Sequence, residues 1–435
     1  MGSGPGVRTD IRATSRSGLR DPWSGEAGVG MRYYIGVDWA DAAHVIWVED
    51  EHGTKVLART VPHTADGLAE WGRWLDEQRT QGIELWAAIE RPDGRVVDFL
   101  LDHGVLVYPI NPKALDRARD RYRPSKSKSD FFDARVLASF LRTDQAHLAA
   151  LQPSSDAAQE LKLLTRDYDR LVREQTRLVN QLTAALKEYY PRVLEVCADL
   201  TAKRTAAFLR AYPTPAVLAE LTEATWQQFA AAHRWSAGQA AVLWPVLQRP
   251  QLSVPAHVAR AKSRLVLVLL QQLEPVVTAV DEYRQVVMDC FVVQPAAEWA
   301  STLPASQGTL VPTSWAELGD ALGRWRSWQH LQGYSGVVPV TRSSGKSQSV
   351  SFRFACNLHL RRALQQFAFC SLKSSEWARA YYDRQRARGH RHQAALRALA
   401  AKWVKIIFVL WTRHVPYDEN YHLAMMTRQH LRQAA

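Results

Sequence analysis

Cysteine is scarce in this chain: Cys197, Cys290, Cys356 and Cys370 are the only four in 435 residues. No two of them share the short C-x-x-C spacing of a zinc ribbon or a redox pair. Neither centre is therefore expected, and the four are read as reduced core thiols. Also missing is any run of about eighteen apolar residues, so no membrane span is expected. The first thirty residues open Met1-Gly2-Ser3-Gly4-Pro5-Gly6 and continue with scattered Ser, Gly and Arg, without the apolar stretch of a secretory signal. They are expected to form a disordered leader ahead of a fold that starts at Met31. Acidic residues are in the minority, 43 against 55 Lys plus Arg, which gives a formal charge of +12 and a pI near 9.6. That balance favours a polyanion partner, with simple solubility charge as the alternative. A hydrophobic fraction of 47% excludes disorder throughout, and the length is that of two or three domains.

What is present begins with short β-rich runs at residues 33–37, 45–48 and 55–61, separated by polar or Gly-containing turns. An amphipathic helix around 68–75, a strand at 84–89, a helix around 96–103 and a buried strand at 105–110 follow, leading into further helices. The order βββαβαβα is that of a ribonuclease-H-like fold, a mixed sheet with helices on its faces. Further on, Leu161, Leu164, Tyr168, Leu171, Gln175, Leu178, Leu182, Ala185 and Tyr189 recur at steps of three and four until Pro191. This heptad seam reads as a coiled coil between subunits or as an intramolecular helical hairpin, because such a pattern does not name its partner. Helical patterning resumes over 265–273 and runs toward Cys290, after loops at Pro213, Pro250 and Pro255. From about Trp299 the chain passes Pro- and Gly-containing stretches and a Ser-rich loop, then returns to helices rich in Arg, Trp and Tyr.

Four carboxylates stand at informative places. Asp38 closes Ile35-Gly36-Val37-Asp38 and Glu90 closes Ala87-Ala88-Ile89-Glu90, so neighbouring strands would bring both to one sheet edge. Asp130 and Asp133 are three apart on a helix and share a face. Carboxylates packed closely repel, and a hard cation such as Mg²⁺ is the natural compensation. Two such ions about 4 Å apart stabilise both the attacking and the leaving oxygen of a phosphodiester. Each acid by itself reads first as a turn cap or a solvated charge; the four together are more specific. Just upstream, Arg117, Arg119, Arg121, Arg123, Lys126 and Lys128 make a positive stretch suited to a phosphate backbone, or else a solvated basic helix.

Later in the chain, Ser343, Ser344, Ser347, Ser349 and Ser351 crowd one segment. A serine nucleophile needs a base or a metal, and no neighbouring His or Asp supplies one, so a flexible Ser/Gly loop touching phosphate is the competing reading. The C-terminal helices carry Arg379, Arg384, Arg386, Arg388, Arg391 and Arg397 among Trp377, Tyr381, Tyr382 and Trp403, a mixture suited to stacking and phosphate neutralisation on single-stranded or distorted nucleic acid. Trp403, Ile406, Ile407 and Leu410 fall at helical spacing and are expected to be core. The imidazoles of His390-Arg391-His392 splay apart at i, i+2 and are not read as metal ligands.

Taken together, Asp38, Glu90, Asp130 and Asp133, Asn111-Pro112, Tyr334-Ser335-Gly336-Val337-Val338-Pro339 and Ser343-Ser344-Gly345 resemble the DEDD transposases of the insertion sequence one-hundred-ten family. Trp377-Ala378-Arg379-Ala380-Tyr381-Tyr382, Ala398-Leu399-Ala400 and Lys402-Trp403 extend the resemblance, which runs from Met31 to about Tyr421. It implies a RuvC-like domain over 31–150, a helical coiled-coil region over 151–295 and a mostly α-helical transposase domain over 296–435, behind a leader at 1–30. It also implies an RNA-guided recombinase that is multimeric, a dimer or tetramer. Such an enzyme acts on donor and target DNA with a structured bridge RNA and Mg²⁺ or Mn²⁺, in the bacterial cytoplasm and without a membrane. By similarity Ser344 would be the nucleophile of a composite centre with the metal-binding acids, flanked by Arg342 and Lys346 as nucleic-acid contacts. One departure stands out. Where the family carries Leu-Pro-Gly-x-Gly, this chain has Leu303-Pro304-Ala305-Ser306-Gln307-Gly308, losing two residues that adopt positive φ freely and putting nucleic-acid contact by that turn in doubt. The rival readings are a Holliday-junction nuclease, which needs the acids but not Ser344, and a non-catalytic scaffold, in which the acids serve only as caps.

Overall fold

The structure is a computed structural model that describes residues 31–90, 92, 94–122, 129–345 and 347–425. The leader expected over 1–30 lies outside these residues, as do Arg123, Lys126, Lys128 and Lys346. The chain divides into two compact units, with the boundary between Pro153 and Ser154.

The N-terminal unit is built on one mixed sheet. Its strands are β1 (Arg32–Asp38), β2 (Ala43–Glu49), β3 (Lys55–Pro62), β4 (Glu84–Ile89) and β5 (Leu106–Pro109), in the spatial order β3-β2-β1-β4-β5. The first three form an antiparallel meander, while β4 and β5 join parallel to β1. Parallel strands need a crossover, and α1 (Ala65–Thr80) and α2 (Arg95–Asp102) supply it. These two helices cover one face, where Ile35, Val37, Ile46, Val48, Ala87 and Ile89 pack with Trp71, Leu75 and Leu100. The opposite face carries α3 (Pro112–Tyr122) and α4 (Asp130–Asp144): Tyr34, Ala88 and Tyr108 pack there with Leu115, Val136, Leu137 and Leu141. The period of two along each strand thus divides two cores cleanly.

The C-terminal unit is mostly helical. Its framework is α5 (Asp156–Tyr189) against α11 (Ala256–Val292), with α6 (Val193–Val196), α7 (Lys203–Ala211), α8 (Pro215–Ala219), α9 (Glu223–Ala232) and α10 (Ala237–Leu247) between them in the chain. The heptad residues Leu178, Leu182, Ala185 and Tyr189 are buried with Val266, Leu269, Leu270 and Leu273 of α11, and Leu161 with Val287 and Phe291. The two helices therefore run antiparallel, and the seam finds its partner within the same chain. By length and composition α11 holds a stretch apolar enough to cross a membrane, of hydropathy 1.3. A second core gathers α12 (Ala297–Ala300), α13 (Leu310–Leu318), α14 (Trp328–Ser335), α15 (Leu358–Ser371), α16 (Glu376–Ala387) and α17 (His392–Arg413) around Trp299, Trp315, Phe367, Trp377, Trp403 and Trp411. Trp403, Ile407 and Leu410 are buried as expected, and Ile406 is partly so.

The segment read as a Ser-rich loop is an antiparallel hairpin, β6 (Val340–Ser344) and β7 (Ser347–Ser351). Its strands offer no alternation of apolar and polar residues, which is why pattern reading passes over them.

Candidate active site

Gly36 is the pivot of the acidic site. A Cβ placed there would meet the Ala134 carbonyl oxygen at 1.8 Å, so only glycine lets α4 lie flat against β1. The helix is also tied down at its far end, where buried Glu49 accepts from Ser139 Oγ at 3.0 Å and from Arg142 Nε at 2.8 Å. Ser129 caps its start, accepting from the Phe132 N–H. Asp130 and Asp133 then occupy the first turn, where the helix dipole favours negative charge. The backbone contact at Ala134 leaves Asp133 over the end of β1.

Three carboxylates share this face of the sheet. Asp38 follows Gly36 by two residues and Glu90 follows Ala88 by two, so the strand period aims both toward the α4 side, and Val37 pairs with Ile89 across the adjacent parallel strands. Asp133 is buried, Asp38 and Glu90 are half-buried, and Asp130 is exposed. No group of three or more His, Cys, Asp or Glu side chains among the described residues stands close enough together to hold a metal ion. The acids that come nearest meet through Arg119 of α3. Its Nε donates to Asp133 Oδ1 at 2.7 Å, a terminal nitrogen lies 3.6 Å from Glu90 Oε1, and the other donates to Asp116 at 2.6 Å. Burial opposes the charge on Arg119, yet the hydrogen bond and charge of Asp133, then Asp116 and Glu90, hold its pKa above the ordinary value. Arg119, expected to meet phosphate with the rest of the basic stretch, is instead an internal counter-charge to the acids. Nothing in the sequence marks it out, because the pairing depends on α3 lying beside α4. Carboxylate oxygens are the donor type a hard divalent cation takes, but among the described residues these side chains do not converge on one point as the strand-end and helix spacing led us to expect.

In the C-terminal unit Ser344 ends β6 beside the hairpin loop, exposed, opposite Ser347. Gly345 takes φ +55°, the left-handed backbone that a two-residue hairpin loop demands. Among the described residues no side chain hydrogen-bonds to Ser344 Oγ, so the hairpin itself offers it no base. Arg342, also exposed, lies on the same strand. The neck of the hairpin is fixed by a buried polar network. Asn357 N–H donates to the Tyr334 carbonyl at 2.8 Å, and its side chain donates to Tyr334 Oη at 2.9 Å and to Glu317 Oε2 at 2.6 Å. Arg166 of α5 donates to Glu317 Oε1 at 2.7 Å. Burial alone would raise the Glu317 pKa, but the hydrogen bonds and charge of Arg166, with Asn357, keep it below the usual carboxylate range. The motif around Tyr334 thus carries the serine on a rigid base.

The remaining basic candidates are exposed. Arg121 lies in the last turn of α3, and Arg379, Arg384, Arg386 and Arg388 lie on or just after α16. Arg379 is within 3.3 Å of Asp383, Arg384 lies over the Tyr381 ring, and Arg386 donates to the His390 carbonyl. Trp377 and Trp403, grouped with these arginines in the sequence reading, are core residues: Trp377 Nε1 donates to Tyr417 Oη and Trp403 Nε1 to Ser371 Oγ. The altered turn shows its cost directly, since Ala305 adopts φ +59° where the family pattern has glycine.

Comparison with known proteins finds transposases along most of the chain. A family model for DEDD transposases of the IS110 type, described as Transposase, matches residues 35–191, and one described as Transposase IS116/IS110/IS902 family matches 297–383. The candidate transposase of the IS117 mini-circle from Streptomyces coelicolor is 31% identical over 415 residues, covering 92% of this chain and 95% of the relative. The uncharacterized 43.6 kDa protein of insertion element IS110 from the same organism is 26% identical over 87% of this chain and 93% of its own length. The uncharacterized 42 kDa protein of insertion element IS900 from Mycobacterium paratuberculosis is 25% identical over 88% and 96%.

Proposed function

The chain belongs to the IS116/IS110/IS902 family of transposases, and from that premise we propose that it is an RNA-guided DNA recombinase using a carboxylate-held divalent metal and a serine nucleophile. The observation that carries the reading is the common face of Asp38, Glu90 and Asp133, brought to the ends of two adjacent parallel strands by a helix that can approach only over Gly36. Sheet order and strand-end acids together support a RuvC-like, ribonuclease-H-like assignment for the N-terminal unit. Asp38, Glu90, Asp130 and Asp133 would hold Mg²⁺ or Mn²⁺, which when bound supplies Lewis-acid polarisation of a phosphodiester. Arg119 bridges Asp133 and Glu90 and orients them on the shared face. Ser344 Oγ would lose its proton to solvent and bond to phosphorus as the bond to one sugar oxygen breaks and that oxygen takes up a proton; a sugar hydroxyl of a second strand would then displace Oγ from the same phosphorus, rejoining the DNA. Donor and target DNA, a structured bridge RNA and further copies of the chain, as dimer or tetramer, are the proposed partners.

The test is the covalent intermediate. Purified full-length protein, with whatever RNA copurifies, is incubated with donor and target DNA and Mg²⁺, and protein–DNA adducts are resolved on a denaturing gel. The expected result is an adduct that Ser344→Ala abolishes and that Asp133→Asn or chelation suppresses, together with one defined structured RNA on sequencing. Full-rate cleavage by Ser344→Ala without an adduct would assign the chain to the nuclease rival. Recombination by RNA-free protein would remove the guide from the reading.

A further inference from the structure

Hairpins with no buried face are marginal in water, yet β6–β7 projects with every described residue from Thr341 to Ser351 exposed. Its surface is rich in hydroxyls: Thr341, Ser343, Ser344, Ser347, Ser349 and Ser351. Immediately after it come two phenyl rings in edge contact, Phe352 and Phe354, with centroids 5.2 Å apart. Phe354 is 81% exposed. Single exposed apolar residues need no explanation, but this one has particular company. The Arg361 guanidinium lies 4.7 Å from the centre of the Phe352 ring and that of Arg397 lies 5.4 Å away. Arg361 donates to the Arg353 carbonyl, and among the described residues no carboxylate pairs with Arg361 or Arg397.

We propose that Phe354, backed by Phe352 with Arg361 and Arg397 against the Phe352 ring, is a stacking platform for an unpaired base of the DNA strand lying along the β6–β7 hairpin. The argument is one of complementarity. An apolar protein partner would bury two cations without acids to meet them, which is costly. A nucleotide offers a flat π-face to the exposed ring and a phosphate to the guanidiniums, satisfying both at once. Bases inside a duplex have both faces covered by neighbours, so the platform selects a base already out of its stack. Trp377 and Trp403, near the C-terminal arginines, cannot do this, since both are buried. The inference builds on the DNA-handling reading of the family but needs neither Ser344 nor the acids to be catalytic.

Fluorescence anisotropy of the full chain tests it with three labelled strands of about sixteen nucleotides: oligo-dT, an abasic strand of equal length, and oligo-U. Phe354→Ala is expected to weaken oligo-dT binding about tenfold while leaving the abasic strand unchanged. Phe354→Trp should retain affinity, and Arg397→Gln should weaken both DNA strands. The same pattern is expected in a Ser344→Ala background, so failure of the nucleophile assignment leaves this result intact. Parental affinity of Phe354→Ala for oligo-dT, or an equal loss on the abasic strand, would overturn the proposal. A loss confined to oligo-U would give the surface to RNA and overturn it as well. A change in sedimentation without a change in oligo-dT affinity would give it to a second copy of the chain, with the same consequence. The exposure of Phe354 predicts urea unfolding curves that superimpose on the parent, which separates these outcomes from misfolding.

Discussion

Ala305 pays at φ +59° for a methyl group that a glycine would not carry. Left-handed backbone costs an L-residue about 1–2 kcal/mol, against the roughly 0.5–1 kcal/mol of extra chain entropy that glycine loses on folding. The Ala305 methyl rests partly against the C-terminal core, which recovers a little of the difference. Ala305→Gly is therefore expected to stabilise the protein by about 0.5–1 kcal/mol, read as a raised urea midpoint with an unchanged slope. A lowered midpoint would show that the methyl contact outweighs the backbone strain. Arg119 illustrates the opposite situation at the same scale, a residue comfortable in its backbone but held by three carboxylates at once. Its guanidinium cannot lose its proton in the working range, so it is a fixed positive charge beside the acids rather than a proton carrier. Residues of both kinds are invisible to composition and spacing. Ala305 could be flagged only because a family pattern carried glycine there, and Arg119 not at all.

At the scale of elements, the approach of α4 to β1 is the step on which the acidic face depends. Gly36→Ala would drive a methyl into the Ala134 carbonyl, a backbone atom that cannot rotate away, so α4 must lift from the sheet. A loss of about 2–3 kcal/mol or more in unfolding free energy is expected. The proposed metal-dependent cleavage should fall with it in the fraction that remains folded, although no carboxylate has been touched. Parental stability for Gly36→Ala would mean that α4 does not bear on β1 as described. The strands and helices of this unit were legible in the sequence because both faces of the sheet are covered and each strand segregates its two sets of apolar side chains. The placement of Asp38 and Glu90 at neighbouring strand ends was legible for the same reason. The seam of α5 was legible as a seam, but its partner was not, because α11 lies more than sixty residues further along the chain. The β6–β7 hairpin escaped altogether: strands made mostly of Ser, Thr, Gln and Arg, with only Val340 partly buried, leave no periodic trace.

Across the whole molecule, a formal charge of +12 makes a prediction about salt that individual contacts do not. Each phosphate neutralised by a basic side chain releases condensed counterions, and the slope of log affinity against log salt deepens by about 0.9 per contact on duplex DNA. Arg384 and Arg386 stand exposed on α16 without a carboxylate partner among the described residues, whereas Arg379 already has Asp383 beside it. Converting both Arg384 and Arg386 to Gln is expected to make the slope shallower by about 1.8 and to weaken binding alike across unrelated sequences. Arg379→Gln should change it by less than either, because its charge is partly spent within the helix. The measurement is a titration of labelled duplex at several salt concentrations for the parent and both variants. An unchanged slope in the double variant would move the duplex-binding surface away from α16. A loss for Arg379→Gln as large as that for the pair would mean that Asp383 swings aside when DNA arrives. Either result is read from the salt dependence alone, so it stands apart from whether the acids or the serine carry out chemistry.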